Sequence, residues 1–293
     1  MPNLTITDNI QNLPIKHEVC FANNERVYDE RIQAQQMKLL AKVAPFLKRF
    51  LEPDEEILLA TAARAPMGVG ELFFASRFSY FMKHTVLVFT NRRILQFLTR
   101  MNYVPKGSVS QIRYGDIEKY DTGSVLKLSL NIKYRNGRQE RFTNIGWNTL
   151  KKVDIFMPTC VQNAPPTEFK QRHSLCPRCQ APLPKGKYVC PNCRLAFKNP
   201  GEAVRNALLF PGGGFFYTRH RVFGIQFAFS EGVLIVLAIA WIFEAFKHAT
   251  EWAGVIGIAA VLLVIKLLHI YQARRYVEEY IPVAKDLTTV KLG

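Results

Sequence analysis

The chain has 293 residues, 48% of them hydrophobic and 21% charged, with a formal net charge of +16. That hydrophobic share excludes a disordered chain, and the absence of any repeat period excludes a solenoid or a collagen-like array. The length allows two or three folding units.

Residues 1–23 are polar and irregular, with no basic stretch leading into an apolar core, so no cleavable signal peptide is expected. From Asn24 onward, Ile32, Met37, Leu40, Val43, Phe46, Leu47 and Phe50 recur three and four residues apart. This period predicts an N-terminal helical segment within residues 1–51. Pro45 should kink or divide it, and the acidic run from Glu52 to Glu56 should end it.

Residues 57–146 read as strands. Ile57–Ala63 is a short apolar run, and Val86–Phe89 passes through Thr90-Asn91-Arg92-Arg93 into Ile94–Leu98 as strand, turn, strand. In Leu126–Tyr134 the apolar residues at 126, 128, 130, 132 and 134 alternate with polar ones, which predicts a strand with one wet face. Asn136-Gly137 follows as a hairpin signal in which both residues should accept positive φ. Trp147–Val161 then turns helical, with Leu150, Val153, Phe156 and Met157 on one stripe. Antiparallel strands closed by one helix give an α+β class.

The Thr90-Asn91-Arg92-Arg93 turn between aliphatic strands, Tyr114-Gly115-Asp116-Ile117-Glu118, the Asn-Gly hairpin and the closing helix together resemble a bacterial pleckstrin-homology-like (PH-like) domain over residues 52–162. The resemblance implies a bent seven-stranded sheet with a capping helix. It does not imply phosphoinositide binding, because that scaffold serves many partners. Within it, Phe73, Phe74 and Phe78 interleave with Arg77 and Lys83 and form a candidate lipid-contact stretch, although half of these residues could equally be core.

Residues 163–174 are expected to be a linker. Four of the six cysteines follow, as Cys176-Pro-Arg-Cys179 and Cys190-Pro-Asn-Cys193. Each pair makes a knuckle that places two thiolates on one side of a metal, and the intervening ten residues suffice to return the second pair. Residues 175–198 resemble a zinc ribbon with one structural Zn²⁺ held by Cys176, Cys179, Cys190 and Cys193; iron is the chemical alternative. A closed four-thiolate site leaves no open position for substrate.

Residues 200–217 read as an interfacial segment broken by Pro211-Gly212-Gly213-Gly214. Two apolar runs follow, Val222–Phe246 and Trp252–Tyr271, each long enough to cross a bilayer. Five residues separate them, so residues 218–275 should form a transmembrane helical hairpin, with a charged tail over 276–293. Arg219 and Arg221 before it and Arg274-Arg275 after it place both termini in the cytoplasm by the positive-inside rule, and make Arg219 and Arg221 further candidate lipid contacts. The Pro-Gly-rich turn, its aromatics and the helix pair resemble a small two-helix transmembrane family, which implies architecture more than activity.

Glu231 and Lys266 interrupt the two apolar runs. Each lies the same number of residues from the hairpin centre, so antiparallel helices put them at one depth, and an intramembrane ion pair is expected in preference to a transport relay. Gly224, Ala228 and Gly232 form a small-residue ladder that should let the second helix approach the first. Dispersed histidines and the lack of a phosphate loop, nucleophile elbow or His-Glu-x-x-His point away from an enzyme. The expectation is an α+β multidomain protein of the bacterial inner membrane. It acts as a non-enzymatic adaptor that presents the PH-like domain and ribbon at the cytoplasmic face. An accessory subunit of a transport or secretion assembly is the alternative, and a nucleic-acid tether through the basic ribbon a further one. The expected partners are the lipid bilayer and other proteins, with self-association open and nucleic acid disfavoured.

Overall fold

Asp29 sets the start of the long N-terminal helix. Its carboxylate accepts from the N–H groups of Arg31 (2.8 Å) and Ile32 (3.2 Å), two of the four donors that a helix start leaves open. The computed structural model describes residues 13–67, 83–123, 128–247 and 252–283. A short helix, α1 (His17–Cys20), comes first, and α2 then runs unbroken over Glu30–Phe50 with Pro45 inside it. The expected division at Pro45 does not occur. Leu40, Val43, Leu47 and Phe50, on both sides of the proline, lock into one core cluster with sheet residues, and this packing offsets a proline penalty of ~3 kcal/mol.

The described strands form one antiparallel eight-stranded sheet in the order β5-β6-β7-β1-β2-β3-β4-β8. They are β1 (Ile57–Arg64), β2 (His84–Thr90), β3 (Arg93–Thr99), β4 (Pro105–Arg113), β5 (Ile117–Thr122), β6 (Ser129–Tyr134), β7 (Gln139–Thr143) and β8 (His173–Leu175). Helix α3 spans Trp147–Asn163. Val86 and Val88 of β2 join the cluster of α2, while Leu87 and Phe89 join Leu150, Val153 and Met157 of α3. With helices over both faces, the central strands read as continuous apolar runs. Helix α2 is therefore part of the sheet's own core rather than a unit beside it.

The sheet has one strand more than the resemblance implies. β8 takes His173 and Ser174 from the expected linker and Leu175 from the expected ribbon, and pairs Leu175, Ser174 and His173 with Val109, Ser110 and Gln111 of β4, covering an edge that would otherwise expose unpaired backbone groups. In β6, Leu130, Ile132 and Tyr134 are buried as the alternation requires, and Ser129 is buried with them; Leu128 before the strand is exposed, and Leu126 lies outside the described residues. The Asn-Gly turn also differs. Only Gly137 has positive φ (+83°), and its N–H donates to the Tyr134 carbonyl at 2.9 Å. This is the geometry of a turn closed by a glycine bulge, which needs one left-handed residue instead of two.

The Thr90–Arg93 turn earns its specificity from a buried network. Arg93 forms a two-pronged bond to Glu55 (Nε–Oε1 2.9 Å, Nη2–Oε2 2.8 Å), and also donates to Gln111 and to the Phe50 carbonyl at the end of α2. Thr90 Oγ1 donates to Glu55 (2.7 Å) and Asn91 accepts from the Glu56 N–H (3.0 Å). One guanidinium thus ties a helix end, an acidic loop and two strands. Arg93→Lys keeps the charge but loses the fork geometry. It should cost about 2–3 kcal/mol in the denaturant unfolding of the sheet unit, because a buried carbonyl and amide lose their donors. A cost near zero would show the network to be ornamental.

The described residues fall into two units. The first holds the sheet through Pro184 together with Cys190–Cys193; the second holds Lys185–Val189 and the chain from Arg194 onward. In the second unit, α4 (Pro200–Leu209) is capped by Asn199, whose side chain accepts from the Glu202 N–H at 2.9 Å. α5 (Gly213–Tyr217), α6 (Arg221–Ala245) and α7 (Trp252–Val277) follow. α6 and α7 are long and apolar enough to cross a membrane, with only 17% and 6% of their most apolar windows buried. Residues 276–283, expected as part of a tail, are folded: Tyr276, Val277 and Ile281 are buried, and Pro282 bridges to Phe197.

Candidate functional site

Two clusters of chemistry-bearing side chains stand out, one in each unit. In the sheet unit the four predicted cysteines converge. Cys176 Sγ lies 3.5 Å from Cys193 Sγ, Cys179 Sγ lies 3.6 Å from Cys190 Sγ, and all four sulfurs fall within 4.8 Å of one another. None is in a disulfide. Four sulfurs at ~2.3 Å from a tetrahedral centre would be about 3.8 Å apart, so the set fits a metal ion. The local sequence explains the convergence. Both knuckles read Cys-Pro-x-Cys, and each is followed by a residue at positive φ, Gln180 (+63°) and Arg194 (+59°). In the first, the Cys176 N–H donates to the Ala181 carbonyl and the Gln180 N–H to the Cys176 carbonyl, both at 2.9 Å. Burial pushes the Cys176 thiol up. At Cys179 the burial penalty is outweighed by hydrogen bonds from the Ala181 N–H and the neighbouring thiols, which bring it down to about 7.

In the helical unit the structure brings Glu231 and Lys266 together: Lys266 Nζ is 2.7 Å from Glu231 Oε2. The sequence reading missed the third member. His269 Nδ1 donates to Glu231 Oε1 at 2.9 Å, and both residues are fully buried. The readable signal was the Lys266-x-x-His269 spacing, which puts both side chains on one helix face. Backbone groups complete the cluster. The Gly212 N–H donates to Glu231 Oε2 (3.3 Å), and Lys266 also donates to the Ala207 carbonyl in the last turn of α4 (2.7 Å). Phe215 of α5 stacks on the His269 ring at 4.6 Å between centroids. Both Glu231 oxygens are therefore engaged, and the arrangement is that of a polar clamp between α6, α7 and the α4–α5 turn.

The small-residue ladder serves this turn and not α7. A Cβ on Gly224 would lie 2.7 Å from the Phe216 ring of α5, and one on Gly212, itself at φ +67°, would lie 2.1 Å from the Gly224 carbonyl. Around Gly232 there is open space. The expectation that the ladder draws the two long helices together is thus replaced by a seat for α5. Gly212→Ala should lower the thermal midpoint of the detergent-solubilised protein, at a cost of about 1–3 kcal/mol or more from overpacking. Gly232→Ala should leave it unchanged. Equal effects would overturn this assignment.

Of the candidate lipid contacts, Phe73, Phe74, Arg77 and Phe78 lie outside the described residues. Lys83 sits in the sheet unit, where its carbonyl accepts from the Ala65 N–H at 2.9 Å. Arg219 and Arg221 belong to the helical unit. Arg219 takes positive φ (+61°) and donates to the Val283 carbonyl at 3.1 Å, while Arg221 is exposed at the first residue of α6.

No protein-family model matches the chain, and no curated protein does. Among solved structures it is similar to the C-terminal domain of an unknown protein from Leishmania infantum, at 13% identity and a TM-score of 0.29 over 41% of this chain and 94% of that one.

Proposed function

We propose that this protein is a non-enzymatic, membrane-anchored adaptor. α6 and α7 cross the bacterial inner membrane as a hairpin, and the chain carries a PH-like sheet domain with one structural Zn²⁺ at the cytoplasmic face. The observation that carries the reading is the uncovered apolar surface of the two long helices. A core helix of a water-soluble protein is covered by its own chain, whereas these leave most of their apolar windows bare, as a span facing lipid does. Arg219, Arg221, Arg274 and Arg275 cluster at one end of the pair, which supports cytoplasmic termini.

Cys176, Cys179, Cys190 and Cys193 would hold the zinc. With four protein ligands the ion has no position for substrate and supplies folding energy. The engagement of both Glu231 oxygens by fixed donors supports a structural ion pair over a transport relay. The test is retention in membranes after alkaline carbonate extraction, followed by affinity capture in mild detergent of the full chain and of a chain ending at residue 217. Carbonate resistance that depends on residues 218–283, with a protein partner captured through the sheet unit, is expected. Release of the full chain by carbonate would refute the anchor.

A further inference from the structure

α4 ends in three consecutive large apolar side chains, the third being its C-cap. Leu208, Leu209 and Phe210 are 60%, 65% and 59% exposed. Three such neighbours facing water would be an aggregation liability. Their height along the helix pair is fixed by hydrogen bonds. The Ala207 carbonyl is held by Lys266 and the Gly212 N–H by Glu231, so residues 207–212 lie level with the ion pair. Glu231 is ten residues into α6 from Arg221, about 15 Å along the axis at 1.5 Å per residue. That is roughly half of a ~30 Å hydrocarbon core. α4 is itself ten residues long, also about 15 Å, and its Ala203 packs with Ala273 and Val277 of α7, so it runs along the helix pair from near Val277 to the level of Glu231.

We propose that α4, the Pro-Gly turn and α5 form a re-entrant hairpin sunk into the leaflet nearest Arg221 and Arg275, with Leu208, Leu209 and Phe210 among the lipid acyl chains. The inference rests on the reading of α6 and α7 as spanning helices, whose uncovered apolar faces it continues. Backbone at that depth must have its polar groups satisfied by protein, and the N–H groups from Phe210 to Gly213 meet this demand one by one. The Phe210 N–H donates to the Asn206 carbonyl (3.1 Å), and the Gly213 N–H to the Phe210 carbonyl (3.0 Å). Pro211 has no N–H to satisfy. The Gly212 N–H goes to Glu231, and Lys266 takes the Ala207 carbonyl that the helix end leaves open. The mouth of the hairpin is polar, as its position at the headgroup level requires. The Asn199 N–H donates to the Tyr217 hydroxyl (3.1 Å), Lys198 donates to the Tyr217 carbonyl, and Glu202 pairs with Arg205 on the outer half of α4 (2.7 Å). Charges inside the spanning helices thereby acquire a purpose other than transport: they hold the tip of a half-inserted turn.

The test is photo-crosslinking of the full chain in phosphatidylethanolamine–phosphatidylglycerol vesicles, with p-benzoylphenylalanine at position 210 or, for comparison, at position 243. Phe243 is 66% exposed near the far end of α6. Lipid adducts at both positions, with fragmentation placing the position-210 adduct on an acyl chain in a yield of the same order as at 243, are expected. Adducts at 243 but none at 210, or a position-210 adduct confined to the headgroup, would overturn the re-entrant hairpin and leave the spanning helices standing. No lipid adduct at either position would overturn both.

Discussion

Replacing Lys266 with Leu should destabilise the helical unit by about 3–5 kcal/mol, the cost of leaving one member of a buried ion pair without its counter-charge. The variant loses two bonds at once, because Lys266 serves both Glu231 and the Ala207 carbonyl. Glu231 would keep only the His269 and Gly212 donors around a fully buried carboxylate. Glu231→Gln in the Lys266→Leu background should recover much of the loss, since the amide oxygen still accepts from Gly212 and carries no charge to bury. Unfolding of the detergent-solubilised protein by denaturant, run as a double-mutant cycle, measures the coupling. Additive effects of the two substitutions would mean that the charges do not act on each other.

Removal of the proposed metal should be the larger effect on the sheet unit. Structural zinc binding is worth ~10–16 kcal/mol in small zinc modules, most of it folding energy. Elemental analysis should find one zinc per chain in the purified protein and none in Cys176→Ser or Cys190→Ser. The loss should stay local. Leu175, next to Cys176, pairs with Val109, so hydrogen exchange should accelerate over Val109–Gln111 as β8 detaches from β4. Amides of β1 to β3, clamped between α2 and α3, should remain protected. A Cys176→Ser chain that retains its metal would contradict the assignment, and so would protection unchanged along β4.

The parts of this fold that the sequence made legible are those whose signal is local or symmetric. The Cys-Pro-x-Cys knuckles place their ligands by short-range geometry. The level of Glu231 and Lys266 follows from a hairpin with a short loop, where residue number alone sets depth. Other features depend on contacts that no period records. β8 is three residues long, too short for an alternation to register, and exists because β4 offers an edge. Pro45 is harmless only because α2 is pressed against a sheet. Thr90-Asn91-Arg92-Arg93 was visible as a motif, but its partners Glu55 and Gln111 sit 38 and 18 residues from Arg93. His269 is not legible as a histidine taken singly; its signal lies in the helix face that it shares with Lys266. The role of the Pro-Gly turn was hidden for a related reason: its donors are backbone groups, which sequence does not distinguish.

The bond between Gly212 and Glu231 also bears on the order in which the protein is made. Glu231 leaves the ribosome 35 residues before Lys266 and 38 before His269. At roughly 5–20 residues per second, translation leaves about 2–7 s in which α6 exists without either of its α7 partners. Gly212, 19 residues earlier, is already present, so the turn supplies the first polar partner that the carboxylate meets. Residues 200–217 should therefore raise the efficiency with which α6 inserts, with α7 completing the contact once it is synthesised.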